Sequence, residues 1–244
     1  MVTLLVNGLR TGLVFAVAVP VTVLCALAII LHTMVRPTGP ILEWIPRFWG
    51  RMWCVTAGAK LTIEGLENID RRRAYVVVSN HQSSFDIFVH FAVMPVPIRF
   101  LAKTELYKIP LFGTAMRKFG IVEVDRAAGR AAHQAVNQGA AETTRLGRSL
   151  MIYPEGTRSR DGTMLPFKKG AFYIARNLGL PVLPVAITGT RAIWEPGSKL
   201  IRSGRIKVAV MAPIPTEGLN LKDIDDLRNQ AFSRIVGVVE AEPD

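Results

Sequence analysis

From Leu13 to Leu31 the chain carries no charged side chain and consists almost entirely of Val, Leu, Ala and Ile. Such a run approaches the ~20 apolar residues that a bilayer-spanning helix needs, so lipid or other protein must cover it and the remaining fold must be arranged around it. Pro20 lies inside the run and predicts an interruption. A second apolar stretch, from Ile41 to Val55, sets Trp44, Phe48, Trp49 and Trp53 beside Arg47 and Arg51. At helical spacing Trp49, Met52 and Trp53 form a stripe near the arginines, the mixture expected at a lipid headgroup boundary, with packing into a protein core as the alternative. Three arrangements fit: one spanning helix, a helical hairpin entering one leaflet, or a secretory signal with Arg10 in its charged leader. Arg10 and Arg36 flank the first helix on both sides, so charge asymmetry gives no orientation. Residues 1–58 are therefore set apart as a membrane-associated helical segment, and 59–244 as one domain.

Beyond that segment, short β-branched runs recur at 61–64, 74–79, 98–102, 121–124, 150–153, 183–187 and 207–211. Most are too short for helices and too uniformly apolar for a half-exposed sheet, so they predict buried strands of one central sheet. Segments of helical character lie between several of them, at 87–93, 126–146 and 171–178, and 223–239 reads as a closing amphipathic helix. This alternation predicts an α/β fold with a central, mostly parallel, twisted sheet flanked by helices. With 244 residues, 50% of them hydrophobic, and no Pro/Gly/Ser-rich linker, the body is large enough for one substantial core.

A formal charge of +11 suits nucleic acid, an anionic membrane surface or small phosphorylated substrates as partners. Nucleic acid is disfavoured because the basic residues are dispersed and no aromatic stacking platform appears in the body. Cys25 and Cys54 lie in the apolar N-terminal region without metal-ligand spacing, which argues against both a disulfide and a zinc site.

Two clusters carry chemistry. Asn80-His81-Gln82-Ser83-Ser84-Phe85-Asp86 follows directly on an expected strand, where open α/β sheets place their ligand sites. Five residues separate His81 from Asp86, about 140° on a regular helix, so the pair can meet only if His81 sits on the loop and Asp86 on the first helical turn. A carboxylate bonded to one imidazole nitrogen would fix the tautomer and make the other nitrogen a general base for an alcohol. The alternative is a helix-capping Asp86 beside a structural His81. The second cluster, Tyr153-Pro154-Glu155-Gly156-Thr157-Arg158-Ser159, also ends an apolar run. Gly156 permits a tight turn and Arg158 offers a planar fork for phosphate, while Glu155 could orient Arg158, hold the loop through backbone N–H groups, or position a substrate.

The first cluster resembles the His-x4-Asp motif of the glycerolipid acyltransferases, and the second their Phe-Pro-Glu-Gly-Thr-Arg-Ser block. In the same order, Gly120-Ile121-Val122-Glu123-Val124-Asp125-Arg126 resembles the Gly-x-x-Phe-Ile-x-Arg block and Leu183-Pro184-Val185 the Val-Pro-Val block. With the segment from Lys103 to Leu106 the likeness runs from about Leu61 to Gly189, and it is greatest to bacterial 1-acyl-sn-glycerol-3-phosphate acyltransferases. Two departures stand out: Tyr153 for Phe, which is mild, and Glu123 for Phe, which puts an acid on an expected apolar strand.

The resemblance implies acyl transfer from acyl-CoA or acyl-carrier protein to the sn-2 hydroxyl of lysophosphatidate, giving phosphatidate, with 59–244 as the catalytic domain. His81 would be the base and Asp86 its support. Lys103, Arg126 and Arg158, with Glu155, Gly156 and Thr157, would hold the acceptor. No metal or resident cofactor is required, because a thioester is already activated. Ser83 or Ser84 as nucleophile is a lesser alternative, and Lys168 and Lys169 are either surface charges or contacts to donor or headgroup. His32, His90 and His133 have no companion acid in sequence and read as structural or surface residues. The implied setting is the bacterial inner membrane, with the domain on the cytoplasmic side and anionic lipids as partners. Rivals are another lyso-lipid acceptor, a non-enzymatic peripheral lipid-binding protein, and a thioesterase or lipase, the last weakened by the lack of a Gly-x-Ser-x-Gly elbow.

Overall fold

The computed structural model describes residues 2–125, 129–159 and 161–242. Two antiparallel-packed helices come first, α1 (Val2–Val35) and α2 (Pro40–Ala57). The expected interruption at Pro20 does not occur: α1 runs through it as one helix of 34 residues. A run this apolar tolerates the lost hydrogen bond because its neighbours remain helical on both sides and a second helix supports it. Val14, Ala18, Cys25 and Ile29 recur near the helical period on one face and are buried, whereas Leu9, Leu13, Leu24 and Leu31 on the other are exposed. From Leu5 to Val35 the helix is long and apolar enough to cross a membrane.

The tryptophan stripe turns inward rather than toward a headgroup boundary. Trp53 is buried and stacks on Phe88 at 4.2 Å, and Trp49 packs edge-on against Phe88 while its indole N–H donates to Thr22 Oγ1 at 2.7 Å. Trp44, stacked on Phe48, is the tryptophan of this helix that is exposed. The reason is the next helix, α3 (Phe85–Val93), which lies so close to α2 that a Cβ on Gly50 would sit 2.3 Å from the Phe88 carbonyl oxygen.

All seven expected strands form: β1 (Ala59–Glu64), β2 (Val76–Ser79), β3 (Ile98–Lys103), β4 (Val122–Val124), β5 (Ser149–Ile152), β6 (Val182–Thr188) and β7 (Gly204–Val210). They make one sheet in the order β1-β7-β6-β2-β5-β3-β4. Every pairing is parallel except β6 with β7. The β-branched run in β2 explains its central place, since successive side chains point to opposite faces and both faces must be apolar. Val77 joins a core with α1, α2 and α3, while Val76 and Val78 join a second core. Two short helices, α4 (Thr104–Tyr107) and α5 (Phe112–Phe119), join β3 to β4, and the second core includes side chains of α6 (Gly129–Arg145), α7 (Gly170–Leu178) and, after the short α8 (Thr190–Ile193), α9 (Ile224–Ala241).

Glu123 is accommodated because β4 is an edge strand: its side chain is half-exposed and lies 3.9 Å from Arg117 Nε. A buried ion pair ties the helical hairpin to the sheet. Arg99, fully buried on β3, donates to both Glu43 carboxylate oxygens on α2 and to the Phe119 carbonyl, and Arg148 approaches Glu43 at 3.2 Å.

Candidate active site

The loop between β2 and α3 lies at the carboxyl end of the central strand, next to the end of β5. Asn80 locks its base: the side-chain amide donates to the Ile187 carbonyl at 2.8 Å and accepts the Ile187 N–H at 2.9 Å, so the chain leaves β2 still tied to β6. His81 then sits on the loop and Asp86 on the first turn of α3, and they meet, with His81 Nδ1 2.7 Å from Asp86 Oδ2. An ionised carboxylate only accepts, so the proton of this bond rides on Nδ1 and the lone pair of a neutral imidazole is at Nε2. The same Oδ2 accepts the backbone N–H groups of Gln82 and Ser83, each at 2.9 Å, while Oδ1 accepts the Thr190 hydroxyl. Asp86 is wholly buried, and His81 keeps 15% of its side-chain exposure. The four donors satisfy both oxygens of this buried carboxyl without solvent.

Tyr153 covers the face of the imidazole, its ring stacked on His81 at 3.9 Å and 8°. Below the pair lies fully buried His90, four residues on from Asp86, whose Nδ1 is 2.7 Å from the Asp86 carbonyl oxygen and 3.1 Å from the Tyr153 hydroxyl. Burial lowers the pKa of His90 to about 4, which keeps it neutral under the carboxylate.

The second cluster meets the first through two residues. Glu155 is buried; Oε1 accepts the His81 N–H at 2.6 Å and Oε2 the Leu165 N–H at 2.8 Å. Of the three roles open to it in sequence, both its oxygens are engaged in holding the loop. Burial raises its pKa to about 7 against the pull of those two N–H groups. Arg158 is exposed and donates from Nη1 to Ser84 Oγ, which sets its guanidinium beside the β2–α3 loop. Gly156 adopts φ 75°, and a Cβ there would fall 2.7 Å from Lys168 Nζ, so the missing side chain leaves room for the Lys168 ammonium over the turn. Thr157 is exposed next to Arg158, and Lys103 is exposed at the end of β3. Arg126 lies outside the described residues. Among the described residues no group of three His, Cys, Asp or Glu side chains could hold a metal ion.

Three residues went unremarked or were set aside in sequence. His90 carried a signal, its four-residue spacing from Asp86 on a helix. Thr190 and Trp194 carried none, being brought to the loop by α8 (Thr190–Ile193) after β6. Ser83 Oγ donates to the Trp194 carbonyl at 2.6 Å, and the Trp194 ring stacks 6.1 Å from Trp53 of α2, with Phe15 of α1 edge-on to both.

Residues 60–188 match the family model described as Acyltransferase. Among curated proteins, the chain is 33% identical over 92% of its length to the chloroplastic 1-acyl-sn-glycerol-3-phosphate acyltransferase LPAT1 of Arabidopsis thaliana, of which it covers 63%. It is 37% identical over 79% of its length to the 1-acyl-sn-glycerol-3-phosphate acyltransferase of Cocos nucifera, covering 59% of that protein. It is also 30% identical over 82% of its length to the Saccharomyces cerevisiae 1-acyl-sn-glycerol-3-phosphate acyltransferase, covering 67%. The chain thus spans about three fifths of the plant relatives it matches. The crystal structure of the 1-acyl-sn-glycerophosphate (LPA) acyltransferase PlsC from Thermotoga maritima superposes with a TM-score of 0.83 at 27% identity, covering 98% of each chain. The match over more than half of the chain, with a yeast relative of 30% identity covered to two thirds of its length, shows that the chain belongs to the acyltransferase family.

Proposed function

We propose that this chain transfers a fatty acyl group from a thioester, acyl-CoA or acyl-carrier protein, to the sn-2 hydroxyl of 1-acyl-sn-glycerol-3-phosphate, giving phosphatidate. The observation that carries the proposal is the His81–Asp86 contact of 2.7 Å at the end of the central strand, with Nε2 left as the basic nitrogen. Nε2 takes the hydroxyl proton as the acceptor oxygen attacks the thioester carbonyl. Asp86 stabilises the imidazolium so formed. The tetrahedral intermediate collapses by breaking the C–S bond, the proton returns to the departing thiolate, and the acyl group is left as an ester. The activities for which the relatives are named support lysophosphatidate as the acceptor. A phosphomonoester also suits Arg158, whose planar donors match phosphate geometry, with Lys103 and Arg126 as further cations and Gly156 and Thr157 shaping the turn.

The exposed leucine face of α1 supports membrane association, since so large an apolar surface is stable only when covered. Placement at a bacterial inner membrane, with the site on the cytoplasmic side and anionic lipids around the basic surface, follows from where such thioesters are made and belongs to the same proposal.

The test is acyl transfer from labelled acyl-CoA and, separately, acyl-carrier protein to lysophosphatidate in detergent, following phosphatidate and free fatty acid for the intact chain and for His81→Ala. Phosphatidate from the intact chain, lost in the variant, is the expected result. Free acid alone would replace transfer with hydrolysis, and transfer only to other lyso-lipids would replace the acceptor.

A further inference from the structure

We propose that Thr190 is a positioning residue of this centre: its hydroxyl holds one oxygen of Asp86 so that the other is aimed at His81. The inference rests on the acyl-transfer reading above.

Asp86 has no exposed side-chain surface, so protein donors must satisfy both its oxygens. They are served unequally. Oδ2 accepts three N–H groups, those of the His81 ring and of the Gln82 and Ser83 backbone. Oδ1 has the Thr190 hydroxyl as its one donor among the described residues. The torsion that turns a carboxylate plane is broad, so donors at a single oxygen leave the group free to swing about that point. A donor at the second oxygen fixes the plane, and with it the direction in which Oδ2 meets the imidazole.

Thr190 is itself held firmly. It is fully buried and follows Gly189, which adopts φ 83° where a Cβ would fall 2.1 Å from the Arg205 carbonyl oxygen. The backbone can bend against β7 at this point because no side chain is present. At the far end of the short helix, the Ile193 carbonyl accepts the Arg202 N–H at 2.8 Å and the Trp194 carbonyl accepts Ser83 Oγ at 2.6 Å. The hydroxyl is thus presented from a segment clamped on both sides to the sheet and to the catalytic loop. A threonine that only filled space would not need its oxygen on Asp86, and valine, of almost the same shape, separates the two cases.

The experiment compares the full chain with Thr190→Val and Thr190→Ser in detergent, by steady-state acyl transfer to a panel of lyso-lipids and by imidazole nitrogen spectra of 15N-histidine-labelled protein, with the His81→Ala spectrum assigning the His81 signals. The expected Val variant loses about 10- to 100-fold in kcat, the worth of one hydrogen bond to a charged group, while KM for the acceptor stays within about twofold. Its His81 Nδ1–H signal shifts, and Ser restores both the rate and the signal. A Val variant with parental kcat and an unshifted His81 signal would overturn the assignment. So would losses in kcat that follow a loss of folded protein and are not restored by Ser. If the parent forms no acylated product from any lyso-lipid, the acyl-transfer reading fails by itself, and the His81 signal in the Val variant still decides whether Thr190 sets the imidazole's environment.

Discussion

Replacing Glu155 by Gln changes two quantities of opposite sign, one independent of pH and one that grows as pH rises. The carboxylate sits between two backbone donors, His81 N–H at 2.6 Å and Leu165 N–H at 2.8 Å. An amide offers one acceptor and one donor, so in either orientation its NH2 faces an N–H and one buried donor is left unmet. This destabilises the fold by ~1–3 kcal/mol at every pH. Ionisation acts the other way. The unfolded carboxyl titrates near its ordinary 4.5, whereas in the fold burial raises it to about 7. The folded chain therefore holds the proton more tightly, and the stability due to this group is complete below pH 4.5, falls as pH rises toward 7, and is gone above it. The interval corresponds to about 3 kcal/mol, or ~6–12 °C in Tm for a chain of this size. Thermal unfolding of parent and Glu155→Gln in detergent from pH 4.5 to 8.5 measures the difference, because titrations of groups remote from Glu155 cancel. Gln is the less stable at pH 4.5, and by pH 8 the gap closes or reverses. Curves that stay parallel across the range would refute the buried, proton-holding carboxyl.

Four further outcomes follow from the same contacts. Asp86→Asn keeps the shape and, by turning its NH2 toward Thr190 Oγ1, keeps the N–H contacts, but it removes the charge facing the imidazolium; kcat falls about 100-fold or more with KM little changed, read by initial rates. Arg158→Ala raises KM about tenfold for an acceptor carrying a phosphomonoester and leaves KM for a lyso-lipid without one near the parental value. Arg99→Met leaves part-buried Glu43 paired with Arg148 alone of the two arginines and lowers stability by ~3–5 kcal/mol, seen as a lower urea midpoint and faster proteolysis between α1 and α2. Gly50→Ala puts a methyl 2.3 Å from the Phe88 carbonyl oxygen, pushes α2 off α3, and lowers stability by ~1–3 kcal/mol on thermal unfolding.

The strands were legible because burial on both faces leaves little choice of residue: Val76, Val77 and Val78 serve two cores in alternation, and only an apolar run can do that. The reversed direction of β7 was not legible, since a strand's composition says nothing of its sense. Pro20 misled because the local rule, that proline breaks a helix, gave way to support from a packed neighbour. Trp49 and Trp53 misled because their stripe looks the same whether it faces lipid or a third helix, and only the close approach at Gly50 decides. His81 and Asp86 could be paired in sequence by geometry, one on a loop and one on a first turn. Thr190, 104 residues from Asp86, and Arg99, 56 residues from Glu43, meet their partners only through the order of strands, which no local spacing encodes.

These long-range contacts give the molecule a mechanical logic. The β2–α3 loop that carries His81 is fixed on three sides: by Asn80 to β6, by Glu155 to the turn after β5, and by Ser83 to Trp194. Trp194 in turn lies against Trp53 of α2 and Phe15 of α1, and Arg99 holds α2 to the sheet from the other end. The apolar helix and the His81 loop are therefore joined by continuous packing through Phe15, Trp53 and Trp194. On the proposed acyl-transfer reading, a lyso-lipid acceptor would need its hydroxyl at His81 Nε2 while its acyl chain stays in an apolar phase, and diffusion of a loosely tethered domain would have to find both conditions at once. Under that reading a hairpin packed on the loop would satisfy the second whenever it satisfied the first, converting part of the orientation entropy of the proposed reaction into folding contacts made beforehand.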